Sequence, residues 1–250
     1  MKKILLSITM FAAFTFCAMA QSQRSDMEEE NLRGPVATVL TTTRGAHGQI
    51  VGHPIRHTFN AKGDLERAIY YDTAGTPVLV VAYHYDRHGR LERETRTLGP
   101  FSELLLQSTY TYDKKNHSVT SELLGVIDSL CEHVVYTYDK KGYLTKVTTY
   151  DDNDSILSQS RHRIDEHGNC IETTLIGKND IYNGSETYRY DSDGNLVERC
   201  VLYMDQMRQR FLYAYTFDEH GNWTKCFVVH LFGNTAEIYQ TMNREISYLE

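Results

Sequence analysis

Tyr188-Arg189-Tyr190-Asp191-Ser192-Asp193-Gly194-Asn195-Leu196 is the stretch that decides the fold, because near copies of it recur along the chain. Tyr85-Asp86-Arg87-His88-Gly89-Arg90-Leu91 and Tyr138-Asp139-Lys140-Lys141-Gly142-Tyr143-Leu144 are close copies. Phe59 to Leu65 and Phe217 to Trp223 keep the pattern with an aromatic swap, and Ile164 to Cys170 is looser. In Tyr112 to Ser118 an asparagine stands where the others have glycine. The anchor positions are Gly63, Gly89, Asn116, Gly142, Gly168, Gly194 and Gly221, always 26 or 27 residues apart. A fixed period in this range marks a repeat architecture, whose units bury their apolar side only against one another.

Within each copy an Asp, or an Asn in the first, precedes the anchor by three residues. Asp favours the first position of a type I turn, and a following left-handed residue makes a three-residue hairpin with a G1 bulge. Glycine pays no Cβ penalty there, and Asn116 is the next most tolerant choice. The aromatic before the Asp should then face the residue two after the glycine. That pairs Phe59 with Leu65, Tyr85 with Leu91, Tyr138 with Leu144, Ile164 with Cys170, Tyr190 with Leu196, and Phe217 with Trp223. Tyr112 with Ser118 is the weak member. Alternation assigns Tyr85, Tyr112, Tyr138 and Tyr190 to one face, with a second row of His57, Tyr83, Tyr110, Tyr136, His162, Tyr188 and Tyr215. Carried on without interruption, it adds Arg67, Arg93, Lys146, Glu172, Glu198 and Lys225 to that aromatic face. Arg56, Glu66, Glu92, Glu94, Arg161, Arg163, Arg189 and Arg199 fall on the opposite, wet face.

From the N-terminus, Lys2-Lys3, the apolar run Ile4 to Phe16 and Ala18-Met19-Ala20 read as an export signal over residues 1–20. The run is too short for a membrane span. Thr15-Phe16 before Cys17 argues against lipid attachment. Residues 21–34, with Glu28-Glu29-Glu30, read as a solvated lead-in, and residues 35–250 as one domain. Its sheet opens with a strand from Val36 to Thr43. Looser turns alternate with the hairpins at Asp72–Gly75, Gly99-Pro100, Gly125–Asp128, Asp151–Asp154, Gly177–Asp180, Met204–Gln206 and Gly233-Asn234, and Glu237 to Leu249 closes the series. Even spacing of short strands makes the domain all-β, with about sixteen strands. So many strands cannot lie flat with an aromatic face uncovered.

The formal net charge is −7, or −9 without Lys2 and Lys3. An acidic balance with no basic stripe excludes nucleic acid and anionic membrane surfaces as partners. Charges on both faces exclude a lipid-embedded barrel. Of the cysteines left after export, Cys131, Cys170, Cys200 and Cys226 lie on separate arms, too far apart for a disulfide in a flat meander. Cys170 and Cys200 fall on the aromatic face and Cys226 on the other. His47, His88, His167 and His220 each precede a glycine at a turn tip and read as turn filler, not metal ligands. Asp191 to Asn195 and Asp151 to Asp154 lack the full spacing of a calcium loop. No nucleophile-elbow or zinc-hydrolase motif occurs. The tyrosines read first as a core ladder. Tyr83, Tyr85, Tyr110, Tyr112, Tyr136, Tyr138, Tyr188, Tyr190 and Tyr215 are also the candidate ligand-binding residues, since such rings can stack on a sugar or peptide.

Through Tyr85-Asp86…Gly89-Arg90-Leu91, Tyr138-Asp139…Gly142-Tyr143-Leu144, Tyr190-Asp191…Gly194-Asn195-Leu196 and Phe217 to Trp223, the chain resembles the YD-repeat, or Rhs-repeat, family over roughly residues 50 to 230. The last copy is similar to the version in small exported proteins of Bacteroides-like bacteria. Large members build a spiral β-shell around a toxin domain, and animal relatives are adhesion proteins. The resemblance implies an open or partly closed β-meander used for binding or scaffolding. The strand count calls for this antiparallel meander of YD-type hairpins to curl into an open barrel, a spiral or a two-layer sheet. The expected function is a non-enzymatic exported binding or scaffold protein, periplasmic, at the cell surface or secreted. It needs no cofactor, and its partner is a glycan, a peptide or another protein. The rival expectations are a glycan-active hydrolase or lyase with a cleft on the sheet, and a self-assembling or partner-capped module.

Overall fold

The hairpins form as their turn chemistry demands. In the Asp86 turn, Asp86 N donates to Arg90 O at 2.8 Å and Gly89 N to Asp86 O at 3.0 Å. The Asp86 carboxylate accepts from His88 N and Arg90 N at 2.7 and 3.0 Å. Asp139, Asp165, Asp191 and Asp218 repeat these bonds, Asn60 does so with an amide oxygen, and Asp72 and Asp151 use them in two of the alternate turns. Gly63, Gly89, Gly142, Gly168, Gly194 and Gly221 all take φ between +78° and +86°. Asn116 does not. His117 holds the left-handed position there, at φ 48°. Lys114 to His117 thus make a four-residue loop, and Tyr112 faces Val119, not Ser118. The other six expected pairs are all present.

The chain is described by a computed structural model over residues 25–99, 103–125, 132–178, 181–203 and 207–249. The expected export signal, Cys131, the Met204–Gln206 turn and parts of three other looser turns lie outside these residues. A short helix, α1 (Asp26–Glu29), precedes sixteen strands: β1 (Val36–Gly45), β2 (Ile55–Phe59), β3 (Leu65–Tyr71), β4 (Pro77–Tyr85), β5 (Leu91–Leu98), β6 (Glu103–Asp113), β7 (Ser118–Gly125), β8 (Glu132–Tyr138), β9 (Leu144–Tyr150), β10 (Ile156–Ile164), β11 (Cys170–Ile176), β12 (Tyr182–Tyr190), β13 (Leu196–Tyr203), β14 (Met207–Phe217), β15 (Trp223–Phe232) and β16 (Thr235–Tyr248). Each pairs antiparallel with its neighbours in sequence, and β1 pairs with β16. The meander curls as expected, and goes past an open barrel, a spiral or a two-layer sheet to close completely into a barrel. Closure removes both sheet edges along the β1–β16 seam.

Uninterrupted alternation fails on the returning strands, and the reason is local. After each glycine hairpin a bulge inserts one residue: Glu66, Glu92, Thr145, Ile171, Val197 or Thr224. An extra residue in one strand of a pair shifts every later side chain to the other face. Arg67, Arg93, Lys146, Glu172, Glu198 and Lys225 therefore leave the aromatic side and point outward. Glu94 and Arg199 turn inward, opposite Tyr83 and Tyr188. Cys200 points outward and Cys226, fully buried, inward. Cys170, Cys200 and Cys226 are free thiols. The tyrosine face becomes the inside of the barrel. The outside carries Arg56, Glu66, Arg67, Glu92, Arg93, Arg161, Arg163 and Arg189, all exposed.

The solvated lead-in expected at 21–34 is, over residues 25–34, a plug at the hairpin end of the barrel. α1 is too short to be stable alone, but Ser25 caps it with a full capping box to Glu28. Met27 N bonds Gly63 O at 3.0 Å, and Asp26 accepts from Leu65 N at 2.5 Å. Further on, Asn31 Nδ2 donates to Asp193 O and Asn195 Oδ1, both at 3.0 Å. Arg33 N donates to the fully buried Asn222 at 2.7 Å. The segment thus ties hairpin β2–β3 to hairpins β12–β13 and β14–β15 across the mouth. Leu32 seals the largest core cluster, with Val36, Val39, Phe59, Leu65, Leu79 and Leu91.

Candidate functional site

The nine candidate tyrosines do gather on one side, but that side is an enclosed wall. Tyr83, Tyr136 and Tyr138 are 6% exposed or less, and the others are half-buried. Their hydroxyls follow a rule of their own. Tyr85 donates to Leu65 O, Tyr112 to Leu91 O and Tyr190 to Cys170 O, at 2.8 to 2.9 Å. Each ring thus latches to the carbonyl at the Leu position of the preceding hairpin. Where Phe217 lacks a hydroxyl, Tyr215, one row back, reaches Leu196 O at 2.7 Å. Burial pushes these phenols well above their ordinary range. Neutral donors aimed at backbone carbonyls stitch repeat to repeat.

Between the rings sit three ionic groups, buried or largely so, that the bulges and the plug bring inside. Glu94, 3% exposed, meets Arg96 Nη2 at 2.6 Å and Tyr110 OH at 3.3 Å, beside Tyr70 and Tyr83. Glu186 binds Arg199 through two 2.7 Å contacts and accepts from Tyr188 OH at 2.7 Å. Burial disfavours the Glu186 charge, yet Arg199 and Tyr188 outweigh it and hold its pKa below the ordinary value. Glu30 of the plug bonds His57 Nδ1 at 2.7 Å and Arg244 at 3.0 Å. Burial again opposes the charge, and His57 and Arg244 overcome it. Arg244 lies 3.8 Å over the Trp223 ring. Alternation without bulges hides the first two groups, and only long-range folding forms the third.

One cluster has the residue types of a nucleophilic site. Ser160 Oγ lies 2.9 Å from His162 Nε2, and His162 Nδ1 is 3.1 Å from Thr173 Oγ1 and 3.9 Å from Cys170 Sγ. Its electrostatics point away from activation. Desolvation pushes the Cys170 thiol up and the His162 imidazolium down, so both rest neutral. The group that orients His162 is a threonine, where a triad places a carboxylate.

At the tips, Asp139, Asp165, Asp191 and Asp218 use their carboxylates on their own backbone amides, as found for Asp86. Among the described residues, no three His, Cys, Asp or Glu side chains converge as a metal site would require. At the opposite end a shallow pocket of about 320 Å³ lies between Gly45–Val51 and Glu237–Gln240, with His230 at its side. That end carries exposed apolar side chains, Phe232, Ile181 and Tyr239 among them. No helix among the described residues is long and apolar enough to cross a membrane.

No protein-family model and no characterised relative matches the sequence. Solved structures do match. A porin-like protein from Bacteroides uniformis is 14% identical, over 86% of this chain and 98% of that one, with a TM-score of 0.40. The TcdB2-TccC3-Cdc42 structure matches over 84% of this chain at 14% identity and a TM-score of 0.36. TcdB2-TccC3 without its hypervariable C-terminal region matches over 78% at 19% identity and a TM-score of 0.37. The chain spans only 14% and 10% of the chains matched in those two structures.

Proposed function

We propose that this chain is a non-enzymatic, exported scaffold of the cell envelope, built from YD-type repeats. It acts through its outer surface and open end on a glycan, peptide or protein. One observation carries the reading: the hydroxyls of Tyr85, Tyr112, Tyr190 and Tyr215 bond the barrel's own carbonyls, and those of Tyr110 and Tyr188 its inner carboxylates, so the wall that could have stacked a ligand is the adhesive between repeats. The charged outer face supports a body surrounded by water, since a lipid-embedded barrel needs an apolar belt on that face.

A glycan and peptide array with the purified chain, run beside a turnover screen on glycan, ester and peptide substrates, tests this. The expected result is binding with no turnover. Turnover that His162→Ala abolishes, while the fold is retained, replaces the scaffold with a hydrolase centred on Ser160 and His162.

A further inference from the structure

We propose that the barrel pairs end to end with a second copy of itself, through the free edge of β16 and the apolar rim around it. The edge comes first. β1 leaves β16 at the Gly45–Gln240 pair and turns away through Ala46 to Gly48. β16 and β15 continue together, through Val229–Ile238 to Phe232–Thr235, while β14 covers the far side of β15 as far as Leu231. Thr235 to Tyr239 therefore run beyond β1, paired to β15 on one side and with no strand on the other among the described residues. Such an edge is a ready template for one more extended strand. The 320 Å³ pocket lies beside this edge, between the Gly45–Val51 turn and β16.

The rim decides which occupant. Val51, Leu98, Leu124, Ile181, Tyr203 and Phe232 are 40 to 74% exposed, and each belongs to or adjoins a turn at this one end. With Ile238 and Tyr239, 52 and 54% exposed, these residues expose on the order of 800 Å² around the rim, most of it apolar, about one partner's share of a stable interface. A lone peptide strand would fill the notch and leave most of this rim wet. A second barrel facing the first covers both. Two projecting β15–β16 hairpins, side by side and antiparallel, form a four-stranded bridge, each tip lying against the partner's notch. A two-fold axis at Ile238 sets Ile238 opposite its mate and Glu237 opposite Tyr239, the bulged residue of the β15–β16 pair, which avoids a Glu–Glu pair. It confines the shared ladder to Glu237–Tyr239, since β1 already holds Gln240 and Thr241.

This gives the scaffold a partner, and the two fail separately: the scaffold by turnover, the pairing by mass. Sedimentation of the full chain across concentration should find a dimer. Phe232→Asp and Ile238→Lys should each weaken it at least about tenfold with unchanged circular dichroism, as expected for exposed side chains. Ile238→Cys should cross-link under mild oxidant where the parent chain does not, since opposed Cβ atoms lie within disulfide reach. Amide exchange at Thr235–Tyr239 should slow as concentration rises. A monomer at every concentration overturns the proposal, as does a dimer indifferent to both substitutions. A monomer that binds neutral lipid vesicles through this rim overturns it too.

Discussion

Asp26 shows how one residue registers the plug. Burial raises its pKa from 3.8 to about 6, against the opposing bonds from Leu65 N and Tyr85 OH. A carboxyl whose folded pKa is raised is bound to a proton longer in the folded chain. Its contribution to stability falls as pH rises from about 4 to about 6, then levels off. Asp26→Asn keeps an acceptor for Leu65 N and removes the buried charge. Thermal unfolding at pH 7 should show a gain on the order of 2 kcal/mol, and the slope between pH 4 and 6 should flatten. Glu30 has the opposite sign. Its pKa is depressed, so its contribution is present above the ordinary carboxylate range and is lost as pH falls through the lower folded value. Among the tyrosines, Tyr112→Phe removes the bond to Leu91 O and keeps the ring under Arg90. Denaturant unfolding should register about 1 kcal/mol lost.

At the scale of the element, the hairpin is the unit, and its left-handed position is the sensitive point. Gly89 has φ 78° and nothing within 4 Å of a would-be Cβ, so Gly89→Ala tests backbone strain alone, at a cost of about 1 kcal/mol. His117→Gly is the mirror experiment, with a gain of about 0.5–1 kcal/mol, because a histidine now holds that conformation at φ 48°. Melting temperatures of the two variants should move in opposite directions. The hairpins were legible because Asp and Gly chemistry is local: six of seven pairs follow from counting residues after the glycine. The Tyr112 hairpin departs because without a glycine the loop grows to four residues. The bulges at Glu66, Glu92 and their equivalents were not legible. Nothing in Leu65-Glu66-Arg67 or Leu91-Glu92-Arg93 marks two successive outward residues beyond their both being charged, and only the buried Ala68 and Glu94 that follow show the phase has changed.

For the whole molecule, closure rests on the β1–β16 seam and on the plug across the mouth. Glu30 is the hinge of that plug, since it compensates Arg244 and bonds His57 from a segment that also carries Leu32 into the core. Glu30→Ala leaves the Arg244 guanidinium buried without its carboxylate and should cost about 3–5 kcal/mol. Adding Arg244→Met should recover much of that loss. Hydrogen exchange should accelerate in Asp26–Leu32 and in the Phe59–Leu65 hairpin for the single variant only. Uniform acceleration over all sixteen strands in the single variant would count against a local plug.

By itself the sequence determined the hairpin, its period, the strand count and the gathering of tyrosines on one face, because each depends on residues only a few positions apart. The tertiary structure decided the rest. Whether the meander closes depends on β1 meeting β16, about two hundred residues apart in Thr38 and Ser247. The lead-in becomes a plug because Asp26, Glu30 and Arg33 find partners on β3, β16 and the β14–β15 turn. Closure gathers the turns that precede each unit into one rim, and because β1 covers β16 only as far as Gln240, it leaves Thr235–Tyr239 as the stretch of edge that remains.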